Sequence, residues 1–160
     1  MSSLQRAGRI LLAKEFASLP IFLAWGEGTP AWDATPPVEP TTATALVAEL
    51  GRRKAQTVSY AVASASGTVE LSSGKYTLSA TPTDLVYLKF VFDFGDAVGK
   101  SIRELGILAG TALKSTVPAA QTYYLPGDVL TPGDLYAVEY VKAFPRVNTV
   151  RQVFEYVLPF

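Results

Sequence analysis

Two groups of residues have types and spacing that could do chemistry. The first is Gly26-Glu27-Gly28 within "WGEGTPAWD" (25–33), a glycine-rich turn that follows the apolar run "LPIFLA". Such a turn cradles phosphate when a Lys-Ser/Thr pair opens a helix behind it, or when a third glycine and a helix follow. Here Thr29-Pro30 follows. The turn therefore reads as one needing positive φ between two packed tryptophans, Trp25 and Trp32. The second group is Asp93, Asp96 and Glu104. A carboxylate pair could do acid–base work, and a cluster could hold calcium. However, "DFGDAVGKS" reads first as a strand end and a turn, with Asp96 and Gly99 suited to the turn. Lys100 and Arg103 stand close enough to neutralise the acids, and no nucleophile or base is placed beside them. Asp93-Phe94-Gly95 also spells the metal-binding tripeptide of protein kinases, but the glycine-rich loop, strand lysine and catalytic-loop motif are absent.

Composition narrows the chemistry further. The sequence has neither cysteine nor histidine. Disulfides, thiolate chemistry, Cys/His zinc sites, histidine-based triads and the usual neutral-pH general base are therefore excluded. No cofactor, metal or catalytic residue is expected. Lys plus Arg and Asp plus Glu are equal at 14 each, with no basic excess to suggest nucleic acid. The densest basic cluster, "GRRK" at 51–54, reads as a solvated helix end. Apolar residues make up 49% and charged residues 18%. A surface short of charge is cheap to bury against other proteins, which favours an assembly component. No stretch reaches the roughly 20 apolar residues that span a bilayer. Lys14 and Glu15 break the apolar start, so no signal peptide is expected, and no membrane partner.

The elements that must position these residues follow from periodicity. Residues 2–17 read as a helix, with Ser2 or Ser3 as the cap, Leu4, Leu11, Leu12 and Phe16 near helical spacing, and Pro20 as the stop. Ile21 to Trp25 reads as a short strand, and 26–40 as a long loop rich in proline. "TTATALVAELGRR" (41–53) reads as a second short helix, capped by Thr41 or Thr42, with Leu46, Val47 and Leu50 as its apolar face and Gly51 as its C-cap. From residue 54 the period changes to two. "TVSYAVA" and "GTVELSSGKY" alternate. "LVYLKFVFDF" (85–94) puts Val86, Leu88, Phe90, Phe92 and Phe94 on one face. In "KSIRELGILAG" (100–110), Ile102, Glu104 and Gly106 lie opposite Arg103, Leu105 and Ile107. Residues 116–134 read as a connection, and 135–144 and 149–160 as further strands, the last burying Val150, Phe154, Tyr156, Leu158 and Phe160. The expected fold is mainly β (α+β): an antiparallel sheet or β-sandwich with two short N-terminal helices. Residues 1–160 read as one domain, with an N-terminal helix (1–18) that can project to a partner and a β-rich body (20–160).

The order of segments carries a resemblance. Trp25, Gly26 and Gly28, then Leu46, Glu49 and Arg52, then Ile102, Arg103, Glu104, Gly106 and Ile107 match an "aWGdG" turn, a "t.LvnEvgR..v" passage and a "g.tIREiGLFd" strand. Over roughly residues 20–110 the chain resembles the N-terminal domain of phage tail-collar fibre proteins. It departs where "LAGTALKS" replaces the usual short acidic turn, and where a fibre would continue into a shaft. The resemblance implies a non-enzymatic virion protein of the tail, made in the host cytoplasm. It would sit in the baseplate or tail tip and bridge the tail body to fibres or neighbouring baseplate subunits, in symmetric copies or as a homo-oligomer. Leu4, Leu11, Leu12, Phe16, Trp25, Trp32, Tyr123 and Tyr124 are the expected partner contacts, tyrosine and tryptophan being favoured at interfaces. Gly26, Gly28, Arg103 and Glu104 are expected to brace the tryptophan loop, because a buried Arg or Glu is costly unless paired. The rival reading is a carbohydrate-binding β-sandwich module for host-surface recognition, with the tryptophans as its platform.

Overall fold

Ile21–Gly26 (β1) is apolar at almost every position, the pattern of a strand buried on both faces. In the computed structural model, which describes residues 2–160, all six residues of β1 are buried. The chain divides into two compact units. One comprises residues up to 19, 55–90 and 153–160; the other comprises 20–54 and 91–152.

The second unit is built around β1. Glu49–Lys54 (β2) pairs antiparallel on one side of it, and Ser101–Ala109 (β7) pairs antiparallel on the other. Asp134–Pro145 (β11) extends the sheet beyond β7, and the two-residue Tyr123–Tyr124 (β9) extends it beyond β2. The order is thus β11-β7-β1-β2-β9. Ala112–Leu113 (β8) and Val129–Thr131 (β10) form a small separate pair.

The first unit carries the one α-helix among the described residues, Arg6–Ser18 (α1), and a sheet formed by Thr57–Ala63 (β3), Val69–Leu71 (β4), Gly74–Ser79 (β5), Leu85–Phe92 (β6) and Gln152–Pro159 (β12). Its order is β12-β6-β3-β5-β4. Val86, Leu88 and Phe90 alternate as fully buried residues along β6. The Thr83 hydroxyl donates to the Ala61 carbonyl at 2.7 Å and ties β6 to β3 at its start. The helix is held by Arg9 on Asp84 (3.1 Å) and by Phe16 on Phe160, with ring centroids 5.2 Å apart.

The fold is mainly β with antiparallel sheets, but among the described residues only one of the two expected α-helices is present. Residues 49–54 are strand β2, not the end of a helix over 41–53. The Ala/Leu spacing there does suit a helix locally, but pairing with β1 overrides it: Arg53, Arg52 and Gly51 lie opposite Leu23, Ala24 and Trp25. Gly51 is no helix cap. The Tyr123 ring occupies the space a Cβ would need, so the residue must be glycine for packing. The true helix also starts later than expected. Gln5, not Ser2 or Ser3, is its N-cap, without a side-chain cap bond. At the other strand ends, Phe94 lies past β6 and Val150 before β12; both are exposed.

Candidate functional site

Consecutive strand residues point to opposite faces. Arg103 and Glu104 are consecutive on β7 and both are buried. Each grips one end of the same long loop, residues 27–48. The Arg103 guanidinium forks onto the two Asp33 carboxylate oxygens at 2.7 and 3.0 Å and donates to the Glu27 carbonyl at 3.0 Å. This planar bidentate geometry is specific to arginine. The hydrogen bond from Arg103 holds the Asp33 carboxyl below the usual aspartate range, and Asp33 in turn raises the guanidinium further. On the other face, the Glu104 carboxylate accepts the backbone N–H groups of Val47 at 2.9 Å and Ala48 at 2.7 Å. Among the described residues no cation pairs with this carboxylate; the two amides satisfy it.

The glycines of the loop are seats for these side chains. A Cβ on Gly26 would strike the Glu104 carboxylate and the Ala48 carbonyl. A Cβ on Gly28 would strike the Trp32 ring, and Gly28 also sits at φ 54°. Trp32 itself packs on Tyr140 of β11, with ring centroids 4.5 Å apart. Between the two grips, Glu39 accepts the Tyr140 N–H at 3.1 Å, a bond that holds its carboxyl below the usual range. The loop is therefore fastened at its start, middle and end, while residues 33–42 stay exposed throughout. Val38, flanked by Pro36, Pro37 and Pro40, is 89% exposed.

Trp25 belongs to the core, not to a surface. It is fully buried and stacked on Phe92 at 3.7 Å between centroids, and its indole N–H donates to the Tyr123 hydroxyl at 2.9 Å. The Arg146 guanidinium lies 4.9 Å over its ring and donates to the carbonyls of Asp93, Asp96 and Val150. Burial lowers the Arg146 pKa, offset by Asp96 and Tyr123. Burial pushes the Tyr123 hydroxyl up to about 12 against the opposing pull of the Trp25 bond. Arg52, also buried, forks onto Glu49 at 2.8 Å and reaches Thr111 and the Pro132 carbonyl. "GRRK" is thus a strand of braces, not a solvated helix end.

The three carboxylates weighed for chemistry are not one cluster. Asp96 takes the Arg53 guanidinium and the Asp93 N–H, both at 2.7 Å. Asp93 takes the Phe94 N–H and Arg151. Glu104 serves the loop. Among the described residues, no three acidic groups come together to hold a metal.

Of the expected partner contacts, Trp25 and Phe16 are buried in the chain's own core and offer a partner nothing to touch. Trp32, Tyr123 and Tyr124 are half-buried; Tyr124 sits edge-on to Phe22 and donates to the Gln121 carbonyl. Leu4, Leu11 and Leu12 are exposed. Phe16 instead turns inward with Ala13. Asp33, Glu39 and the Val47 and Ala48 amides were not foreseen. The signal available was the acidic residues of the loop itself, Glu27, Asp33 and Glu39, each a match for Arg103 by charge.

No curated protein matches the chain. The family model described as baseplate wedge 3 tail fiber network component matches residues 1–160, and the chain belongs to that family: it is a structural component of a phage tail baseplate, acting among baseplate and tail-fibre components.

Proposed function

We propose that this chain is a non-enzymatic connector that bridges the tail body to tail fibres or neighbouring baseplate subunits, and that the loop 27–48 is its main contact element. One observation carries the reading. Two buried charged residues, Arg103 and Glu104, are committed to holding a loop whose middle is exposed. Buried charges are costly to keep, and a loop that needs no fixed shape does not require them. Holding the loop rigid lowers the entropy lost when a partner orders it, and its prolines act the same way. The exposed Pro36-Pro37-Val38 tip then offers a preformed apolar contact.

The carbohydrate reading has less support, because a sugar platform needs exposed coplanar aromatics and Trp25 is buried. The test is incorporation into tails. Val38→Asp changes an exposed tip and should leave the melting curve of the free chain unchanged while reducing its recovery in assembled baseplates several-fold. Full recovery in baseplates would remove the loop from the contact.

A further inference from the structure

The longest strand described, β11, ends one side of the five-stranded sheet, so one of its edges has no strand beside it. The sheet's other end is the two-residue β9, too short to serve as a template. An uncovered edge presents backbone N–H and C=O groups to any extended chain that arrives. Irregular pairing blunts most of β11. Its register against β7 slips between Leu135 and Ala137, and again between Tyr140 and Phe144. Only residues 137–140 run straight. Within that window the Tyr140 N–H points away from β7, because it donates to Glu39 at 3.1 Å. In an antiparallel ladder, successive residues bond alternately to one side and the other. The Val138 N–H and C=O therefore face the same open side as those of Tyr140. Among the described residues, no loop carbonyl and no side chain takes the Val138 N–H. An open cleft of about 230 Å³ lies there, between Glu39, Pro40, Thr41 and Ala43 on the loop and residues 135–138 on the strand.

We propose that Glu39 guards this edge: its carboxylate stops the β11 strand of a second copy from adding to the sheet. An added strand would run about 4.8 Å from β11, with its carbonyl oxygen about 3 Å from the Tyr140 nitrogen. The Glu39 oxygen already holds that position. The two acceptors exclude each other. An ionised carboxylate accepts and cannot donate, so it fills the acceptor's place and offers no donor to an incoming carbonyl. Burying it beneath a new strand would cost more than one bond returns. Pro40 follows and lacks an N–H, so the loop covers the edge without joining the ladder. Without Glu39, two copies present matching edges, and these pair antiparallel about a twofold axis. The pair closes at two copies, since each sheet has one such edge. This guard goes beyond the connector reading and does not depend on what the loop tip touches.

Glu39 is exposed, so its variants should fold. The test compares the full chain with Glu39→Ala and Glu39→Gln, by sedimentation and by amide hydrogen exchange at raised concentration. Glu39→Ala should sediment at about twice the parent's mass. Its Val138 amide, having gained a partner, should exchange about tenfold more slowly than the parent's. Glu39→Gln keeps an acceptor oxygen and should match the parent in both. If Glu39→Ala stays at the parent's mass, with a faster Tyr140 amide and an unchanged Val138 amide, Glu39 only fastens the loop and the proposal is overturned. A doubled mass with an unchanged Val138 amide would place the contact elsewhere and overturn it as well. So would a Glu39→Gln chain that doubles, because its acceptor is still in place.

Discussion

Replacing Glu104 by glutamine changes one oxygen for one NH2 group at nearly constant volume. The carboxylate accepts two backbone N–H bonds, from Val47 and Ala48. Glutamine keeps one acceptor and turns a donor toward the other amide, so one charge-assisted bond is lost and one N–H is left facing a donor. A hydrogen bond to a charged group contributes about 1.5–3 kcal/mol net. The neutral amide is cheaper to bury, which offsets part of that. The expected loss is about 2 kcal/mol, and at ~2–4 °C per kcal/mol for a chain of this size the melting temperature should fall by about 4–8 °C. The assay is thermal unfolding followed by tryptophan fluorescence. Trp25 and Trp32 both lie in residues 20–54, in the same unit as Glu104, so the signal reports the unit that is perturbed. Glu70→Gln is the control: its Lys75 pair is exposed, and its loss should cost under about 0.5 kcal/mol. A Glu104→Gln variant that melts with the parent would refute the claim that this carboxylate holds the loop.

Gly28→Ala should destabilise by about 1–2 kcal/mol from its positive φ alone, before the clash with Trp32, whereas Gly127→Ala, with open space around it, should be neutral by the same melt. Asp33, Asp93 and Glu39 titrate below their usual values, so the unfolded chain takes up protons first as pH falls. Their stabilisation is fully present above about pH 5 and is lost as pH drops through about 4 toward the folded values; denaturant titrations across that range should show the decline, and Asp33→Asn with Asp93→Asn should flatten it. At the alkaline end, burial raises Tyr123 to about 12 and raises Tyr87, which also binds Glu155, further still. Stability should hold below about pH 10 and fall as pH rises through the folded values, with Tyr123→Phe showing a shallower fall in the same titration.

The strands were readable where burial imposes its own period. β6 alternates, β1 is continuously apolar, and Arg103 and Glu104 fall on opposite faces of β7 as the pattern requires. The false helix at 41–53 shows the limit. Its spacing is helical, but what decides its state is a pairing with β1 and a tyrosine at position 123 that needs Gly51 bare. Tyr123-Tyr124 read as a connection because a two-residue strand has no period; it exists only through Arg52 and Arg53. The N-terminal helix is legible from its spacing, but spacing alone groups Phe16 with Leu4, Leu11 and Leu12 as contacts for a partner, whereas the leucines are exposed and Phe16 is buried with Ala13. For the site, residue type marks Arg103 and Glu104 as charges on a strand that need partners. Their partners were hidden because Asp33 lies 70 positions away and Val47 57, and because backbone amides carry no sequence signature.

The measurement that tests the account most directly is an electron cryo-microscopy reconstruction of the assembled tail baseplate at side-chain detail. The account predicts density from a neighbouring protein against Pro36-Pro37-Val38, with the Arg103–Asp33 fork intact behind it. A loop facing open solvent in every copy, with neighbours seated elsewhere on the chain, would contradict the claim that the braced loop is the contact element.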